Sequence, residues 1–300
     1  MRFGLALALA VCSCTNAWGA TVNPGTNLIQ GAVAAAVPGE TITLNPGIHI
    51  VTYTVSINKN IILKGPAGGV NNTFIDKHNS NDVAAIVIEE AANGCRFENF
   101  SLRGRNVAGN GIVMFSNSNV FTDVRVFNCG IDTSTGRRSN IVIHGAHLNT
   151  FNSCWSNNST WVGFSQYGSS DNVFNSCVAD NNGAEGLTID GRSHNCRWWY
   201  GRINGNNNRS RGVGGVGIDW SNGAWVRNAQ IDGTAGNKSG VQFQNNEGPC
   251  DGCIIRDNTI SNSSAYGIKK RTCSYPVTNT TTTPNNFFGN RLGNQHTGCP

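Results

Sequence analysis

The 300 residues carry only 13% charged side chains but 37 glycines, and Lys plus Arg exceed Asp plus Glu by 22 to 17. Surface helices need Glu and Lys in quantity, so a mainly helical protein is excluded. The net charge of +5 is mild, and no Lys/Arg run is long enough for a nucleic-acid arm, so an acidic partner fits better than nucleic acid.

In chain order, residues 1–20 read as a secretory signal: Arg2, an apolar run from Leu5 to Val11, and Ala17-Trp18-Gly19 as a small-x-small cleavage site. That run is too short to span a bilayer, and no later stretch is longer, so no membrane association is expected. Residues 21–300 are expected to form one domain. Residues 27–36 form the best helical stretch, stopped by Pro38-Gly39. Strands are expected at Thr41–Leu44 and from Tyr53 to Leu63, with turns at Asn45-Pro46-Gly47 and Gly65-Pro66.

A repeated phrase then dominates. Asn-Thr-Phe-Asn-Ser-Cys at 149–154 returns as Asn-Val-Phe-Asn-Ser-Cys at 172–177. Weaker copies align on Phe97, Phe121, Phe151, Phe174, Trp198, Val226, Ile255 and Phe287. Such a period, without a repeating helix or leucine-rich spacing, predicts an all-β solenoid, a right-handed parallel β-helix whose coils bury their apolar faces by stacking. Residues 27–36 would be a capping helix over one open end. Asn at matching corners would occupy left-handed turns and hydrogen-bond along the stack.

Most repeats contain a second strand: Gly111–Phe115, Asn140–His144, Trp161–Ser165, Gly186–Asp190, Gly217–Ser221, Gly240–Gln244 and Gly267–Arg271. Lys270 ends the apolar pattern, and residues 274–300 are expected to be a C-terminal tail packed on the last coil. Removing the signal leaves nine cysteines. One or two disulfides are expected among Cys250, Cys253, Cys273 and Cys299, whereas Cys154 and Cys177 share one position of consecutive coils and would form an apolar ladder or a bond. No second ligand pair supports a zinc site.

Side chains alternate along a strand, so the residues between the apolar ones face out in two columns. One is Val113, Val142, Gly163, Thr188, Asp219, Gln242 and Lys269; the other is Phe115, His144, Ser165, Asp190, Ser221, Gln244 and Arg271. Loops add His147, Tyr167, Arg192 and His194. Two chemistries suit this patch. In elimination from a uronate, His144 or Lys269 is the base, Tyr167 the acid, and Arg192 or Arg271 the carboxylate clamp. In glycoside hydrolysis, Asp190 and Asp219 are acid and base on a diagonal of about 8 Å, within the range of an inverting enzyme. His147, His194, Gln242 and Gln244 complete the substrate-binding set. A Ca²⁺ between Asp190 and Asp219 is the one metal considered; no cofactor is otherwise expected.

The stretch Gly-Glu-Thr-Ile-Thr-Leu-Asn-Pro-Gly (39–47) behind the helix, with the Asn-x-Phe-x-Asn/Ser repeats, resembles the pectin-lyase-like parallel β-helix proteins, and the coils from 140 to 205 resemble their alginate lyase and epimerase branch. His144 stands where that branch places the His of an Asp-Pro-His motif, but Val142 replaces the Asp. The polygalacturonase motifs are absent, although His144-Gly145-Ala146-His147 approaches one. With the leader, the resemblance leads to a secreted protein, expected as a monomer, that acts on an extracellular, acidic polysaccharide: foremost a lyase, with an inverting hydrolase or a non-catalytic carbohydrate-binding or adhesin-like solenoid as the alternatives.

Overall fold

The computed structural model describes residues 19–78, 84–105, 109–130, 138–209, 212–236, 238–244, 248–271 and 275–298. The apolar run of the expected signal, Cys273 and Cys299 lie outside these residues.

Short strands of alternating polarity, many of them ended by Asn or Gly, can bury their apolar side only against copies of themselves. The chain accordingly winds into a parallel β-solenoid of about ten turns with very little helix. A nineteen-stranded and a ten-stranded parallel sheet run along it. The smaller sheet orders Val55–Ile57, Ala84–Ile88, Asn110–Met114, Ile141–His144, Phe164–Tyr167, Leu187–Asp190, Gly214–Ile218, Ser239–Phe243, Tyr266–Lys270 and Gly293–Thr297, each beside the next. The helix, Leu28–Ala35, sits at the N-terminal end and buries Ile29 and Val33.

Seven of the eight repeat anchors stack in register from Phe97 to Ile255. Five rings form a continuous pile: centroids are 4.6 Å apart from Phe97 to Phe121 and from Phe121 to Phe151, 4.8 Å from Phe151 to Phe174 and 5.7 Å from Phe174 to Trp198. The eighth anchor is displaced: Phe287 pairs with Ile260, not Ile255. The expected tail is also corrected. Val277–Thr278, Asn286–Phe288 and Gly293–Thr297 pair in parallel with the preceding coil, so this stretch adds a further turn.

Buried corners run on asparagine. Asn119 N donates to Asn149 Oδ1 at 2.8 Å, and Asn149 N to Asn172 Oδ1 at 2.9 Å. Asn128, Asn158 and Asn181 take left-handed φ of 54–58° at equivalent bends, a conformation Asn tolerates better than most residues. Cys95, Cys129, Cys154, Cys177, Cys196, Cys250 and Cys253 are all buried free thiols, so no bridge involves Cys250 or Cys253. Burial pushes the Cys129 and Cys253 thiols up to about 12. Cys154 and Cys177 form the expected ladder inside the core; burial and the neighbouring Cys154 together raise the Cys177 thiol.

Candidate functional site

The outer face of the ten-stranded sheet is where polar and aromatic residues align. Its pairing register sets His144 opposite Tyr167 and Tyr167 opposite Asp190. Thr188 pairs with Gly217 and Ile189 with Ile218, which sets Asp190 opposite Asp219. Gly217 pairs with Gln242 and Gln242 with Lys269, so Gln244 and Arg271 continue the same line. One column therefore reads Phe115, His144, Tyr167, Asp190, Asp219, Gln244, Arg271. Beside it runs Val113, Val142, Ser165, Thr188, Gly217, Gln242, Lys269.

This corrects the expected columns at two coils. Ser165 and Asp219 each stand one column away from their expected place, and Tyr167 belongs to the strand, not a loop. Asp190 and Asp219 are thus direct neighbours, one strand spacing of about 4.8 Å apart along the stack, and the 8 Å diagonal does not exist. Lys269 and Arg271 lie five rungs from His144, roughly 24 Å at that spacing, so Lys269 and His144 cannot serve one reacting centre.

Within three rungs the residues form a compact group. The exposed rings of His144 and Tyr167 stack at 5.4 Å with 16° between planes, and Phe115 meets His144 edge-on at 5.9 Å. Tyr167 is 44% exposed, while Asp219 is 4% exposed. Asp190 is half-buried, and its Oδ1 accepts from the Gly191 N–H at 2.7 Å. A Cβ on Gly191 would lie 2.3 Å from the Tyr167 ring, so only glycine leaves that ring its place. Arg192 follows, exposed, with its guanidinium 4.0 Å over the centroid of Trp220.

His147 and His194 stand apart from this group, at the next corner. His147 Nδ1 accepts from the Ser170 N–H at 3.0 Å, and His194 Nδ1 accepts from the Asn222 N–H at 3.1 Å. Both rings are acceptors in a backbone ladder, an architectural role. Sequence reasoning missed Trp220, which follows Asp219 directly, and Glu185. Glu185 is 4% exposed; its Oε1 accepts from the Val213 N–H at 2.6 Å, and burial raises its carboxyl above the ordinary value. Its signal was readable only once Gly217 was seen to leave space beneath it: a Cβ there would lie 3.3 Å from Glu185 Cγ. Among the described residues, no three His, Cys, Asp or Glu side chains converge as metal ligands.

No protein-family model matches the sequence, and no curated protein sequence matches it. Solved structures do match. The ORF18 protein of Geobacillus virus E2 aligns over 93% of this chain with a TM-score of 0.62 and 16% identity; the chain spans 61% of its length. The A-module of the mannuronan C-5 epimerase AlgE4 from Azotobacter vinelandii aligns over 94% of this chain and 96% of its own (TM-score 0.57, 19% identity). An alginate lyase from a Paenibacillus strain aligns over 93% and 99% (TM-score 0.54, 15% identity). The resemblance to β-helix proteins is thereby borne out as a likeness of fold, and at these identities a shared fold does not fix chemistry.

Proposed function

We propose that this chain is an exported enzyme that cleaves an acidic, uronate-bearing polysaccharide by β-elimination, with the polymer lying along the outer face of the ten-stranded sheet. The observation that carries the reading is the exposed His144–Tyr167 stack with Arg192 one rung on. His144 takes the proton α to the uronate carboxylate. Arg192 offsets the negative charge that builds on that carboxylate. The C–O bond to the neighbouring sugar breaks as the C=C bond forms, and Tyr167 gives its phenolic proton to the departing oxygen. Lys269 and Arg271, farther along the same face, hold the anionic polymer. The structural neighbours named as alginate epimerase and alginate lyase support a polysaccharide substrate.

Turnover of a panel of polyuronates, followed by ultraviolet absorbance of the unsaturated product, tests this. His144→Ala and Tyr167→Phe should each slow the reaction by about a hundredfold. New reducing ends without absorbance would transfer the assignment to hydrolysis by Asp190 and Asp219. Their single-rung spacing is closer to the roughly 5–5.5 Å of a retaining carboxylate pair than to an inverting one. Wild-type turnover in both variants would remove the site.

The same reading takes residues 1–20 as a leader removed on export; a mature chain whose first residue precedes Ala17 would count against it. It takes the protein as a monomer, the winding as right-handed, as in nearly all parallel crossovers, and Leu28–Ala35 as a cap on the first coil.

A further inference from the structure

We propose that Trp220 and Arg192 form a built platform for one anionic sugar residue, beside the acidic pair Asp190 and Asp219. The inference rests on the groove assigned above and names the part of it that selects acidic polymer. The starting point is the corner that follows the His144–Asp219 column. Three consecutive coils turn it on glycine: Gly145, Gly168 and Gly191 have φ of 61°, 60° and 57°. In the next coil the residue after Asp219 is Trp220, held at φ 45°. Left-handed backbone is costly for a bulky side chain, and such strain persists where the surroundings hold it in place.

The surroundings here are specific. One side of the indole lies against Gly248, where a Cβ would fall 2.0 Å from the ring. Over the ring sits the guanidinium of Arg192, a left-handed residue (φ 70°) whose backbone N–H donates to the Trp220 carbonyl at 2.8 Å. Arg–Trp stacks also occur on the larger sheet, as with Arg125 on Trp155, but those rise from regular strands and need no unusual backbone. At Trp220 two left-handed side chains and a glycine are combined to set one aromatic edge and one exposed cation next to Asp190. With Arg192 over the ring and Gly248 against it, the indole keeps an apolar edge for the C–H groups of a sugar, and the guanidinium fork offers paired donors to its carboxylate. A uronate presents both.

Binding is measured by titration calorimetry on the His144→Ala protein, with a polyuronate and with the same polymer after reduction of its carboxyls to neutral alcohols. Trp220→Gly should weaken polyuronate binding about tenfold. It should not lower the melting temperature, because glycine already turns the three preceding coils. Arg192→Gln should abolish the preference for polyuronate over the reduced polymer, which keeps the test independent of how Trp220→Gly folds. Unchanged affinity in both variants, or equal binding of both polymers by the parent, overturns the platform. Binding without turnover of the unmutated enzyme sinks the elimination reading and leaves the platform standing; turnover with unaltered Trp220→Gly affinity does the reverse.

Discussion

A histidine at a solenoid corner has two possible employers, substrate and backbone. His147 and His194 work for the backbone. The His147 N–H donates to Asn117 Oδ1, Ser170 N–H to His147 Nδ1, His194 N–H to Ser170 Oγ, Asn222 N–H to His194 Nδ1, and Asp251 N–H to Asn222 Oδ1. Asn, His and Ser are interchangeable in this ladder because each supplies one acceptor. His147→Asn should therefore leave the urea midpoint nearly unchanged, whereas His147→Leu, which orphans the Ser170 N–H, should cost about 1–2 kcal/mol. Equal losses in both would show that the ring does something else. Glu185 poses the opposite case. Burial raises its carboxyl above 4.5, and the charge of Lys238 opposes that. The folded state therefore keeps a proton that the unfolded chain has released. The group's contribution is fully present below pH 4.5 and is lost as pH rises through its folded-state value. Glu185→Gln retains an acceptor for the Val213 N–H and carries no charge to bury. Its urea midpoint should exceed the parent's at about pH 7 by more than at about pH 4. A parent that is the more stable at pH 7 would mean that Lys238 outweighs burial.

At the scale of the strand, what could be read in advance follows from period two. The anchors from Phe97 to Ile255 were legible because each is a large apolar residue in a fixed polar frame. The outward columns were only partly so. Gly217 looks like the glycine that opens a strand, as Gly186 and Gly240 do. That place is held by Gly215, whose carbonyl accepts from the Gly186 N–H. The resulting shift of two residues leaves every side chain on its proper face, so hydrophobic alternation cannot detect it; a shift of one would have been obvious. The same slip moved Ser165 and hid Tyr167. Packing energy concentrates in the anchors. Phe174 lies between Phe151 and Trp198, and Phe164 meets it edge-on at 5.3 Å. Phe174→Ala should cost about 3–5 kcal/mol in equilibrium unfolding. Phe288→Ala, at 55% exposure on the last coil, should cost a small fraction of that. Similar losses at the two sites would contradict a core that lies inside the coils.

For the whole molecule, the solenoid was legible because a repeat of this length has few ways to bury its apolar residues. The C-terminal turn was not. Its inward positions include Gln295 in place of the Ile and Val of earlier coils, and without a hydrophobic signature it reads as a tail. The site was legible as a face and illegible as a geometry. His144, Asp190 and Asp219 do share one wall, but the distances among them depend on register, which composition does not encode. That register has one more effect. The aromatic end of the groove (His144, Tyr167) and its cationic end (Lys269, Arg271) are bolted to a common ladder, so the gap between them is quantised. Gain or loss of a complete turn would change it by a single increment of about 4.8 Å while every side chain kept its orientation. On the proposed function, the length of polymer gripped could thus be adjusted by adding or deleting whole turns, without touching the residues at either end.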